Sequence, residues 1–175
     1  LDYYANKGFR ANEGLYWKDM SLQNMGYTYE YFAPQILEED FVTWENGMLD
    51  SEGAGYQALI VYQEALPYAA ALKLYRLAQS GMPLLFVNGV NETLRPEGIS
   101  FTHRQAAMRT ASLDQRDEEL AALIARIKDL PNVREVQEQT KTLEPVPDMG
   151  IHPRVAFKEE SPSLLPYERV DGKGK

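Results

Sequence analysis

Polar catalysis needs its reactive groups close together, so the number and spacing of such residues is the first constraint on what a chain can do. The 175 residues include no cysteine, which removes disulfides, thiolate chemistry and cysteine zinc sites together. The two histidines, His103 and His152, stand far apart, and neither has a close histidine or cysteine partner. No metal site is expected. No Gly-x-Ser-x-Gly elbow occurs, and Ser51, Ser80, Ser100, Ser112 and Ser161 sit in turn or cap contexts. "GAGY" (53–56) precedes an expected strand, whereas a dinucleotide fingerprint follows one. "NGVNE" (88–92) follows a strand but lacks the further glycines and the lysine of a phosphate loop.

Carboxylates remain. Glycoside hydrolysis uses two, facing each other across the scissile bond. Glu30, Glu38, Glu39, Asp40, Glu45 and Glu64 are available. Glu38-Glu39-Asp40 reads as the solvated end of a short helix. Glu45 and Glu64 lie just past expected strands and can reach a cleft, although nothing in the sequence pairs them. The stretch "GMPLLFVNGVNETLRP" (81–96) places Asn88 and Asn91 after a short apolar strand. In open α/β sheets ligands dock there, outside the carboxyl ends of strands. Asn88, Asn91, Glu45 and Glu64 are therefore the candidate ligand-binding residues, and no residue is assigned to catalysis. The competing reading of Asn88-Gly89 is a plain turn.

Aromatic residues crowd the first 32 positions: Tyr3, Tyr4, Phe9, Tyr16, Trp17, Tyr27, Tyr29, Tyr31 and Phe32. Such rings can serve as platforms for the apolar faces of sugars. The reading favoured here is that alternate members of "YTYEYF" pack inward and the rest cover a neighbouring domain.

The elements that would hold these residues follow from periodicity. Leu15, Leu22 and Met25 share a helical face that Gly26 closes. "YTYEYF" (27–32) alternates like a strand, "PQILEED" is a helical turn, and "FVTW" (41–44) a short strand. Asn46-Gly47 marks a hairpin. "YQALIVYQ" and "PLLFV" are continuous apolar runs, as in strands covered on both faces. Between them Pro67 opens a helix with Ala70, Leu74, Leu77 and Ala78 on one face, and Gly81 closes it. This is a βαβ unit. A polar segment, 88–111, precedes an amphipathic helix in "SLDQRDEELAALIARIKDL", with Ser112 and Gln115 as a capping box. Its stripe is Leu113, Leu120, Leu123, Ile124, Ile127 and Leu130, and Asp114, Asp117, Glu118 and Glu119 crowd its positive end. "VREV" follows as an edge strand. From about 144 prolines accumulate, "RVAF" reads as a strand, and "YERVDGKGK" as a strand entering a turn.

The expected organisation is an irregular segment over 1–14, an α/β domain over 15–150, and a linker with the start of a β-domain over 151–175. A net charge of −8 without a basic window argues against nucleic acid and against anionic membrane surfaces. No stretch has the roughly 18 apolar residues of a membrane span. "LDYYANKGFR" has neither an initiator Met nor a signal-peptide core, which suits a processed or excised chain.

"LQNMGYTYEYFAPQIL" (22–37) resembles a segment of large bacterial α-L-rhamnosidase-type glycoside hydrolases, family 106. "NGMLDSEGAGYQALIVY", "LPYAAALKLYRLAQSGMPLLFVN", "RTASLDQRDEELAALIARI", "PNVREV" and "LEPVPDMGIHPRV" extend the resemblance over nearly all of 15–175. It implies an accessory domain behind a catalytic (β/α)-barrel, three-layered and similar to flavodoxin- and amidotransferase-like folds, with a mainly parallel sheet. The catalytic carboxylates and a calcium ion would belong to that barrel, outside this chain, so no cofactor is implied here. The implied partners are other domains of the same polypeptide, with carbohydrate as a further ligand. A bacterial periplasmic or secreted location is expected ahead of a cytoplasmic one. The alternative is a stand-alone carbohydrate- or small-ligand-binding α/β module. A hydrolase using Glu45 and Glu64 is the third reading.

Overall fold

The computed structural model describes residues 21–156 except 32, 90, 94–99, 103–104, 111–113 and 138–140. The 1–14 segment, His103, the Ser112 cap and the turn in "YERVDGKGK" lie outside the described residues.

The βαβ unit forms where the apolar runs place it. Strand β3 (Leu59–Val61) leads through a helix, α2 (Tyr68–Gln79), to β4 (Leu84–Val87), and the two strands pair in parallel. Every residue of β4 is buried, because β7 (Val133–Val136) pairs in parallel along its other side. The order β3-β4-β7 puts "VREV" at an edge, as its composition predicts. Gly81 ends α2 at φ +100°, a conformation a Cβ disfavours. The amide of Met82 reaches the Leu77 carbonyl and that of Gly81 the Ala78 carbonyl, so the helix closes in a Schellman motif. Gly26 closes the earlier helix α1 (Ser21–Asn24) similarly, with the Tyr27 amide on the Leu22 carbonyl. Asn46 and Gly47, both at positive φ, turn the two-residue strands β1 (Trp44–Glu45) and β2 (Met48–Leu49) into a hairpin.

Two apolar clusters sandwich the sheet. On one face Leu59, Val61, Leu84, Phe86 and Val133 meet α2 and the amphipathic helix α3 (Asp117–Lys128). On the other, Leu85, Val87 and Val136 meet Leu22, Tyr27, Tyr29, Val146 and Ile151. Ile151 thus packs with the body, and Gln57 fixes the next residue. Its carboxamide donates to the His152 carbonyl at 2.9 Å and accepts from the His152 amide at 3.1 Å.

Five local readings change. Tyr27–Tyr31 is not a strand. Its alternation is real, but Tyr27 and Tyr29 turn onto the sheet's face, so the period of two is satisfied without a ladder. The chain then rounds the β3 edge to bury Leu37 and Val42 on the helical side, through a 3-10 helix at Pro34–Glu38. "FVTW" contributes only Trp44 to a strand, and Arg154–Ala156 of "RVAF" is not strand. The polar segment after β4 contains an antiparallel pair, β5 (Asn91–Thr93) and β6 (Ser100–Thr102). Helix α3 begins at Asp117, two residues after Gln115, which sits at φ +49° before the helix and so cannot be the third residue of a capping box.

Candidate functional site

The carboxyl ends of the strands are where a parallel sheet exposes a crevice. Here Asn88 fills that position. It follows β4, is 1% exposed, and carries three side-chain bonds. Its Oδ1 accepts from the Ala106 amide at 2.8 Å, and its Nδ2 donates to Glu135 at 2.6 Å and to Gln137 at 3.4 Å. The Asn88 backbone amide bonds the Val136 carbonyl as well. The residue is thus a clamp between β4, the end of β7 and the turn at Ala106. Asn91 opens β5 opposite Thr102, and its side chain lies outside the description.

Glu64 lies just past β3 and pairs with Arg109 at 2.8 Å in a half-open position. The ion pair reinforces backbone bonds between 63–66 and 107–109, among them Leu66 to Arg109 at 2.9 Å. Glu45 stands exposed on the β1–β2 hairpin, opposite Met48. His152 is exposed, with its backbone held by Gln57. Among the described residues no three His, Cys, Asp or Glu side chains converge as a metal site would require. No helix there is long and apolar enough to cross a membrane.

Two polar clusters escaped sequence reasoning. Thr110, 5% exposed, donates its hydroxyl to Asp117 at 2.6 Å, and its amide bonds the same oxygen at 2.7 Å. Those bonds hold the Asp117 carboxyl below its ordinary range. Three residues before Asp117, Asp114 accepts from the Tyr68 amide at 2.8 Å, so a carboxylate beside the start of α3 caps α2 instead. On β7, Glu135 joins Asn88 to Lys128. Burial pushes its carboxyl up, but the bonds from Lys128 and Asn88 with the Lys128 charge outweigh that and hold it down. Only the acidity around Asp114 and Asp117 was visible beforehand. Their partners Tyr68 and Thr110 come from segments that periodicity does not connect.

A shallow cleft of about 70 Å³ opens where the chain rounds the β3 edge. Leu37, Leu59, Leu66 and Leu74 line its base, and Glu30, Tyr31, Tyr62 and Gln63 are also on its wall. Tyr31 packs edge-to-face on Tyr29, with ring centroids 5.6 Å apart, and on Tyr62 at 6.1 Å. Glu30 accepts the hydroxyl proton of Tyr56. Burial, together with that bond, pushes the Tyr56 hydroxyl up to about 12, so it stays a donor.

No family model, curated protein or solved structure is detectably similar to this chain.

Proposed function

We propose that this chain is a non-catalytic accessory domain of a larger glycoside hydrolase similar to the α-L-rhamnosidases. A barrel outside the chain, with its calcium, would cleave rhamnosyl linkages in plant pectin or glycans. The layering of flavodoxin- and amidotransferase-like domains, and a β-domain beginning within 151–175, belong to the same proposal. One observation carries it: Asn88, at the position where an open α/β sheet receives ligands, has its carboxamide consumed by Ala106, Glu135 and Gln137. Glu64, bound to Arg109, is likewise engaged in the scaffold. The resemblance over 15–175 supplies the class of parent enzyme.

The test is hydrolysis of an aryl α-L-rhamnoside by the 175-residue chain alone. The expected rate is that of buffer. Turnover that falls with Glu45→Gln or Glu64→Gln would replace this reading with an independent hydrolase. A second reading, the stand-alone carbohydrate-binding module, is favoured by the tyrosine-walled cleft.

A further inference from the structure

We propose that Asn46 is a self-modifying site, where the Gly47 amide and a water molecule convert the asparagine to isoaspartate and aspartate and release ammonia. The inference stands apart from the glycoside hydrolase reading.

The chemistry needs a carboxamide, a following residue without a β-carbon, and free rotation between them. The Gly47 backbone nitrogen gives its proton to a solvent base and attacks Cγ of Asn46. The N–Cγ bond forms, the Cγ–Nδ2 bond breaks, and Nδ2 leaves as ammonia with a proton from water. Water then opens the five-membered succinimide at either carbonyl. Attack at Cγ gives aspartate. Attack at the main-chain carbonyl gives isoaspartate, in which the chain runs through Cβ. The sum is asparagine plus water giving a carboxylic acid plus ammonia, with nothing oxidised or reduced.

Asn-Gly occurs twice, and the fold separates the two copies. Asn88 is 1% exposed, and its carboxamide is held by Ala106, Glu135 and Gln137. Its reaction waits on an opening that breaks all three bonds. Asn46 and Gly47 are exposed, at φ 54° and 75°. The hairpin they turn has two residue pairs, Trp44 with Leu49 and Glu45 with Met48. So short a ladder is marginal by itself. Its base is fastened, because Leu49 exchanges backbone bonds with Tyr56 at 2.8 and 2.9 Å and the Asp50 amide reaches the Thr43 carbonyl at 3.1 Å. The tip therefore opens at low cost while the base holds. That excursion frees the Asn46 torsions and lets Cγ meet the Gly47 nitrogen.

The product alters the hairpin. Isoaspartate lengthens the two-residue turn by one main-chain atom, and turn length sets register, so the Glu45 and Met48 pair is lost first. The new carboxylate stands beside exposed Glu45 on a chain of net charge −8, which opposes closure. Hydrolysis runs one way, so the hairpin records the age of the molecule.

The test incubates the full chain in mildly alkaline, isotopically labelled water, both native and in urea, and follows Asn46 and Asn88 separately by peptide mass spectrometry. In urea the two should convert within about threefold of each other, because both precede glycine. In native buffer Asn46 should convert about a hundredfold faster than Asn88 or more. The product should carry the label, with isoaspartate in excess over aspartate. Gly47→Ala should slow the Asn46 reaction about tenfold or more, in urea as well as in buffer, so the result does not depend on how the variant folds. In the isoaspartate form the Asp50 amide should exchange about tenfold faster than in Asn46→Asp, which carries the charge without the extra atom. Native rates for Asn46 and Asn88 within about tenfold of each other overturn the proposal. So does an Asn46 that stays intact while the chain in urea converts fully. An unchanged rate in Gly47→Ala overturns the attack by the Gly47 amide.

Discussion

The carboxamide of Asn88 is wholly engaged with three parts of the fold. Replacing it by alanine strands the buried Ala106 amide and removes a neutral partner of Glu135. Asn88→Ala should cost about 2–3 kcal/mol, read as a lower urea midpoint at unchanged slope. Thr110→Val keeps the shape but loses the hydroxyl that bonds Asp117 and accepts from the Arg116 amide. It should cost about 1–2 kcal/mol, and the Asp117 titration followed by NMR should move up toward 3.8. The depressed Glu135 adds an acid-side dependence. Its contribution to stability is complete above the ordinary value of 4.5 and disappears as pH falls through the lower folded value. In Glu135→Gln that part of the acid-induced loss should be absent from denaturation midpoints measured down through pH 4.

Elements were legible where one chain-local rule decides them. The βαβ unit, the Asn46-Gly47 hairpin and the glycine ends at Gly26 and Gly81 need only periodicity and the sign of φ. Gly81→Ala tests that rule. The nearest atom to an added Cβ is the Trp44 indole nitrogen at 3.8 Å, an ordinary contact, so any loss is backbone strain. It should be about 1–2 kcal/mol in thermal or urea unfolding. Reading failed where two segments share the decision. Tyr27–Tyr31 alternates, yet whether it pairs or lies flat depends on the face of β4 it meets. The β5–β6 pair has polar strands without apolar alternation, so nothing marked it. For the candidate site, sequence reasoning chose Asn88 by its place after a strand but could not see Glu135 and Ala106 closing around it. The β3-edge cleft joins residues 30–37 to 59–74, and only the aromatic richness of its first half was visible.

At the scale of the molecule, the described body is a three-stranded parallel sheet with helices on one face and mostly irregular chain on the other. Leu74, 0% exposed on α2, sits where the helical face, the sheet and the cleft base meet. Leu74→Ala should lower stability by about 2–5 kcal/mol in urea unfolding. The bond from Tyr68 to Asp114 has a bearing on how this body is made. The start of α2 borrows its cap from 46 residues further along. During synthesis, therefore, the crossover emerges with a frayed beginning, and it is secured only when the loop before α3 arrives.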